Sequence, residues 1–165
     1  MSASSGSARR LPSLGPRGEG WVAIQFVLMA AIVGSSLLEP RWPEGARDVL
    51  RAAGAVLVVA GGAFAVAAGR ALGSSLTPFP RPSTRGGLVE AGPYRVVRHP
   101  IYGAALLVFA GFSLFASVPA LALTAALAAV WALKARVEER FLTLRFPAYA
   151  AYLERTPRRF LPYVW

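Results

Sequence analysis

The stretch Leu88 to Gly103 gathers His99, Arg95, Arg98, Tyr94 and Tyr102 between two apolar runs. His99 is the only histidine in the chain. A plain connection between hydrophobic segments has no packing reason to be this rich in polar and aromatic groups. Pro93 and Pro100 fix their own φ and bias Gly92 and His99 away from helix. Pro100 also suits the first position of a following helix. The backbone N–H groups of such a helix start, with His99 beside them, can receive an anionic group. A second polar cluster lies beyond the next apolar run: Lys134, Arg136, Glu138 and Glu139. Lys134, Glu138 and Leu142 are four apart and share one helical face. Taken alone, this cluster fits a solvated helix with an i,i+4 Lys134–Glu138 pair, worth about 0.2–0.5 kcal/mol.

Together the two clusters carry a resemblance. Gly92-Pro93-Tyr94-Arg95-Val96-Val97-Arg98-His99-Pro100-Ile101-Tyr102-Gly103 resembles the signature of the integral-membrane methyltransferases that include isoprenylcysteine carboxyl methyltransferase and phospholipid N-methyltransferases. Ala104-Ala105 stands where that signature usually has a later glycine. The family follows with a Glu-Glu pair, then Phe-Gly-x-x-Tyr-x-x-Tyr, a basic residue and prolines. This chain has Glu138-Glu139, Phe146-Pro147-Ala148-Tyr149-Ala150-Ala151-Tyr152, then Arg155, Pro157 and Pro162. Pro147 replaces the glycine, and the gap to the first tyrosine is one residue shorter. The resemblance covers roughly residues 70–165.

The resemblance implies methyl transfer from S-adenosyl-L-methionine. It implies cofactor contacts from Leu88, Val89, Tyr94, His99, Pro100, Ile101, Tyr102 and Glu138. The residue types fit those needs: a helix start and His99 for the carboxylate, Glu138 for the amine or ribose hydroxyls, tyrosine rings for adenine or sulfonium. The family keeps an arginine one turn before the glutamate to orient the acceptor. Here that position is Lys134, with Arg136 close by, and both are expected to bind substrate. Lys134 and Glu139 are expected to be catalytic. Lysine offers a point charge and no bidentate fork. A carboxylate acceptor, as in isoprenylcysteine, needs no base. A phospholipid amine does, and Glu139 or His99 are the candidates. A third reading is a non-catalytic membrane scaffold or lipid-binding protein that keeps the fold.

The elements that must position these groups are apolar. Hydrophobic residues make up 55% of the 165, and there is no cysteine. That excludes disulfides and thiolate chemistry, and a lone histidine excludes a multi-histidine metal site. The net charge of +10 comes almost wholly from arginines flanking apolar runs. This placement suits anionic lipid headgroups rather than nucleic acid.

The expected architecture is all-α, with four transmembrane helices. Residues 1–20, rich in Ser, Gly and Pro with Arg9, Arg10 and Arg17, read as a disordered basic tail. The methyltransferase domain is then 21–165. Trp21 to Leu38 reads as a retained span of about 27 Å. Glu39 to Asp48 reads as a polar turn. Val49 to Gly69 is a second span rich in Ala and Gly, which lets helices approach closely. Arg70 to Val97 reads as a long loop whose Thr77-Pro78-Phe79-Pro80-Arg81-Pro82 is extended. Ile101 to Leu133 is too long for one span and breaks at Ser117-Val118-Pro119 into a short helical hairpin. Its second helix is expected to continue into a cytoplasmic helical tail. Arginine distribution puts both termini and the long loop in the cytoplasm, the membrane being a bacterial inner membrane.

Overall fold

In a computed structural model of the protein, residues 11–37, 41–84 and 86–162 are described. Among them the regular structure is helical, with no strand. Helix α1 is Glu19–Gly34, α2 Glu44–Leu72, α3 Pro100–Ala116, α4 Val118–Arg145 and α5 Tyr149–Arg155. The stretches Glu19–Leu37, Glu44–Ser75 and Val118–Arg145 are long and apolar enough to cross a membrane. Helix α3, expected as the third of four spans, has 17 residues and is shorter.

Local chemistry sets the boundaries. Gly18 precedes α1 in the left-handed region (φ 88°), and the Glu19 carboxylate accepts the Arg17 N–H at 3.0 Å. Glu44 to Asp48 were expected in a turn but form the opening of α2. Pro43 stands at its N-cap with a helix-compatible φ of −54°, and Glu44 complements the positive end of the helix dipole. Helix α2 stops at Gly73, with φ 52°. The predicted break at Ser117 is observed. The Ser117 hydroxyl accepts the Ala120 N–H of α4 at 3.3 Å and donates to the Ser35 carbonyl at 2.9 Å. Helix α4 runs without interruption from Val118 to Arg145, as its extension into the tail required.

The long helices pack as α2 against α3 and α1 against α4. Glycine makes the first pairing possible. A Cβ on Gly54 would lie 2.7 Å from the Gly111 carbonyl oxygen, and one on Gly111 would lie 2.6 Å from that of Gly54. One turn-pair along, a Cβ on Gly61 would lie 2.8 Å from the Ala104 carbonyl. The outward face of α2 shows Val49, Val56, Val59 and Val66, each more than half exposed, which suits a lipid boundary. Between helices, Ile32, Leu106, Leu127 and Trp131 form the core. The polar groups inside the apolar hairpin are satisfied. Ser113 and Thr124 hydroxyls meet at 2.9 Å, and the Trp42 indole N–H donates to the Ser113 carbonyl at 3.0 Å.

Residues 11–18, expected in a disordered tail, are instead bound at the same end of the molecule as the long loop and α5. The Trp21 indole donates to the Pro12 carbonyl (3.1 Å), Arg140 to Leu11 (3.0 Å), and the Arg81 N–H to Arg17 (3.3 Å). The Arg17 guanidinium lies 4.1 Å from the centre of the Phe79 ring. Composition predicted little intrinsic structure, and tertiary partners supply it. Residues 1–10 of that expected tail lie outside the described residues.

Candidate active site

The loop after α2, the start of α3, the end of α4 and α5 enclose one cavity. It holds about 770 Å³ of empty space counted to its open mouth. Leu88, Val89, Tyr94, His99, Ile101, Tyr102 and Glu138, all expected at a cofactor site, line it. Pro100 does not line it. It is buried as the first residue of α3, where it starts the helix that presents Ile101 and Tyr102.

The geometry turns on Tyr102. Its hydroxyl donates to Glu138 Oε2 at 2.7 Å, joining α3 to α4. Its ring stacks between His99 and Trp131, with both centroids 5.4 Å away. His99 caps α3, its carbonyl accepting the N–H groups of Tyr102 and Gly103. Its Nε2 lies 3.2 Å from Glu139 Oε1, and its Nδ1 lies 3.8 Å from Glu138 Oε2. One imidazole therefore stands between adjacent carboxylates of α4.

Those carboxylates have different surroundings. Glu138 faces the cavity. Glu139 faces away and is clamped: Arg98 Nε reaches Oε1 at 2.8 Å, and Arg159 Nη2 reaches Oε2 at 3.2 Å. Glu139, expected to be catalytic, is thus held by two guanidiniums and an imidazole and does not line the cavity. Lys134 also departs from expectation. It does not line the cavity and is fully buried. Its Nζ donates to Gln25 Oε1 at 2.5 Å and to the Pro78 carbonyl at 2.7 Å, and lies 5.2 Å from the Tyr102 ring centre. Gln25, the one strongly polar side chain of α1 after Glu19, thus holds Lys134 and the Trp131 indole N–H (3.0 Å) together. Arg136 is exposed and lies in an outer groove with Arg140 and Leu144.

Other groups complete the wall. Arg98 lines the cavity, and its Nη1 donates to the Thr156 carbonyl at 2.7 Å. Leu142 and Phe146 add apolar wall from α4 and its end. Leu142 was legible, since it shares a face with Glu138. Tyr149 and Tyr152 line the cavity from α5, and the Tyr152 hydroxyl donates to the Tyr94 carbonyl at 2.7 Å. They belong to the quoted Phe-x-x-Tyr pattern, which was the signal for them. Burial pushes the Tyr152 hydroxyl up to about 12 and those of Tyr94 and Tyr149 higher still. All three therefore stay neutral at physiological pH.

The segment after α5 seals the back of the site. Arg98 and His99 N–H groups donate to the Arg158 and Arg159 carbonyls at 3.0 and 2.7 Å. Phe160 packs edge-on against His99 and Tyr102. Gly103 is required here because a Cβ would overlap the Phe160 carbonyl. Gly103→Val is therefore expected to displace this segment, costing about 1–3 kcal/mol. Thermal unfolding in detergent reads it, and an unchanged midpoint would show that the segment yields freely.

A family model described as phospholipid methyltransferase matches residues 49–148, which hold most of α2, all of α3 and α4 and most of the cavity lining. The chain belongs to the phospholipid methyltransferase family. Two curated relatives are similar to it. Over 77 residues it is 44% identical to the cobalt-zinc-cadmium resistance protein CzcN of Cupriavidus metallidurans, covering 44% of this chain and 35% of that protein. Over 143 residues it is 31% identical to the nickel-cobalt-cadmium resistance protein NccN of Alcaligenes xylosoxydans xylosoxydans, covering 84% of this chain and 61% of that protein. The matched regions thus span from about a third to about three fifths of these relatives' lengths. The family match includes the Glu138-Glu139 pair and ends just short of Tyr149, so α5 and the sealing segment lie beyond it.

Proposed function

We propose that this phospholipid methyltransferase family member transfers a methyl group from S-adenosyl-L-methionine to a lipidic or isoprenoid acceptor at the cytoplasmic face of a bacterial inner membrane. The spans carry the site at one end, both termini lying on that side. The observation that carries the reading is Glu138, a carboxylate held by Tyr102 in a largely apolar cavity built from two distant stretches of sequence. When bound, the cofactor supplies an electrophilic methyl group on a sulfonium.

The residues present fit that cofactor. Leu88, Val89 and Leu142 offer apolar walls to adenine. Glu138 accepts hydrogen bonds from an amine or a ribose diol. Tyr94 and Tyr102 present rings suited to a cation. The Tyr149 hydroxyl is buried, belongs to a cavity-lining residue and has no hydrogen-bond partner among the described residues. An orphaned hydroxyl costs about 1–3 kcal/mol, which a ligand acceptor would recover. Tyr149→Phe should then weaken cofactor binding while leaving the unliganded protein as stable or more so. Calorimetry and thermal unfolding of the same preparation read both halves, and equal affinity would remove Tyr149 from the site.

Carboxyl O-methylation of an isoprenylcysteine-type acceptor is the favoured chemistry. Among the described lining residues, the carboxylate and the imidazole are already engaged. Glu138 accepts from Tyr102, His99 Nε2 faces Glu139, and the tyrosines stay protonated. A carboxylate arrives as a nucleophile and needs only orientation and a dry site. Lys134 and Arg136, first expected to orient it, are committed elsewhere or face outward. Arg98 lines the cavity, and its Nη2 is the guanidinium nitrogen not used in its bonds to Glu139 and Thr156. It is the cation proposed for the acceptor. N-methylation of a phospholipid amine is the second reading, favoured by the description of the matched family. The resistance named for the relatives would then be served through a methylated product. The chain itself, with one histidine and no cysteine, is poorly equipped to capture metal.

Methyl-labelled cofactor incubated with purified protein and either prenylcysteine or a phospholipid extract tests the proposal. Base-labile label in the first supports O-methylation, and base-stable label in the second supports the amine reading. If calorimetry detects no S-adenosylhomocysteine binding by folded protein, a scaffold or lipid-binding role replaces both.

A further inference from the structure

Arg145 ends α4 on the surface, where burial gives it no reason to be ordered. Yet its guanidinium gathers four carbonyls of one turn. Nη1 donates to Pro82 at 3.2 Å and Ser83 at 2.5 Å. Nη2 donates to Thr84 at 2.8 Å and Gly86 at 3.3 Å. The same guanidinium lies 5.1 Å from the centre of the Phe146 ring. Pro82, Ser83, Gly86 and Phe146 all line the cavity. On its other side the turn is fastened to the end of α2. The Ser75 hydroxyl donates to the Gly87 carbonyl at 3.1 Å, and a Cβ on Gly86 would lie 2.8 Å from that hydroxyl. The turn therefore bridges the ends of α2 and α4 across the cavity, held by a hydroxyl at one end and a guanidinium at the other.

We infer that Arg145 is a positioning residue for the cofactor, acting through the turn of residues 82–84 and 86–87, which it holds in place as the outer wall of the cavity. The inference rests on the cofactor reading proposed above. Five N–H donors in a rigid plane suit a set of diverging carbonyls, whereas an ammonium offers three donors around a point. Without the guanidinium the turn loses all four of these carbonyl bonds to α4. Forming the closed wall then becomes part of the cost of binding, because a site that is only partly populated binds with its affinity reduced by that fraction. The chemistry itself should not change, since Arg145 is not among the cavity-lining residues.

The test compares wild type, Arg145→Ala and Arg145→Lys in detergent or nanodiscs. It reads S-adenosylhomocysteine affinity by calorimetry, amide exchange across the chain without ligand, and thermal unfolding. Arg145→Ala should bind about tenfold more weakly, with Arg145→Lys between it and wild type. Exchange should rise in residues 82–84 and 86–87 and not in α1 to α4, with the unfolding midpoint kept. At saturating cofactor, kcat should stay near wild type while KM for the cofactor rises. Wild-type affinity in the variants overturns the inference and leaves the cofactor reading standing. Weaker binding with unaltered exchange in the turn, or with faster exchange everywhere, also overturns it. If Arg145→Ala does not fold, Arg145→Lys decides alone: wild-type exchange and affinity overturn the inference, and selective loosening with weaker binding supports it. Folded wild-type protein that binds no S-adenosylhomocysteine removes the cofactor reading and this inference with it.

Discussion

Glu138→Gln should lower affinity for S-adenosyl-L-methionine about 100-fold and leave unfolding of the protein in detergent nearly unchanged. The fold depends little on this carboxylate. Its one close hydrogen bond is from the Tyr102 hydroxyl, which a glutamine amide oxygen can still accept. Its side chain is 25% exposed, so no deep desolvation is released or incurred by the change. Binding depends on it strongly. A carboxylate accepting from an amine or from two ribose hydroxyls makes charge-assisted bonds, and each is worth about 1.5–3 kcal/mol. Calorimetry with the cofactor and with S-adenosylhomocysteine measures the loss. A dissociation constant within threefold of wild type would take Glu138 out of the cofactor site.

Glu139→Ala should do the reverse, destabilising the protein by about 3–5 kcal/mol and removing the site only because the fold fails. The substitution leaves the Arg98 guanidinium, 8% exposed, and the His99 imidazole, 4% exposed, without the carboxylate between them. Arg159 loses its anchor at the same time, and with it the segment whose carbonyls bind the Arg98 and His99 N–H groups. Glu139→Gln keeps one acceptor oxygen and should fall between. Chemical unfolding of the variants in matched detergent gives the ranking. Equal stability of all three would mean that the clamp contributes only geometry. The two glutamates are consecutive, and a step of one residue on a helix turns the side chain to a different face. One therefore faces the cavity and the other the tail.

Much of this was legible in the chain itself. The eight residues expected at one cofactor site, from Leu88 to Tyr102 and Glu138, came from the family resemblance of their motifs, and seven of them line one cavity. The hairpin break at Ser117 followed from a span too long for a bilayer and a proline two residues on. The functions of Lys134 and Glu139 were not legible. What a buried charge does is decided by its neighbours, and these came from far away: Gln25 and Pro78 for Lys134, Arg98 and Arg159 for Glu139. No local pattern encodes such pairings. Residues 11–18 show the same limit. Their Ser, Gly and Pro content reports a weak preference for any regular structure, while Phe79, Arg81 and Arg140 give them one place to be.

The backbone bonds from Arg98 and His99 to Arg158 and Arg159 also order events during synthesis. The apolar helices can be threaded into the bilayer as they leave the ribosome, but the pocket gains its back wall only when the stretch beyond α5 has been translated and has folded home. A chain ending before Arg158 would keep the apolar helices but would leave the Arg98 and His99 N–H groups without these carbonyls and the cavity without its back wall.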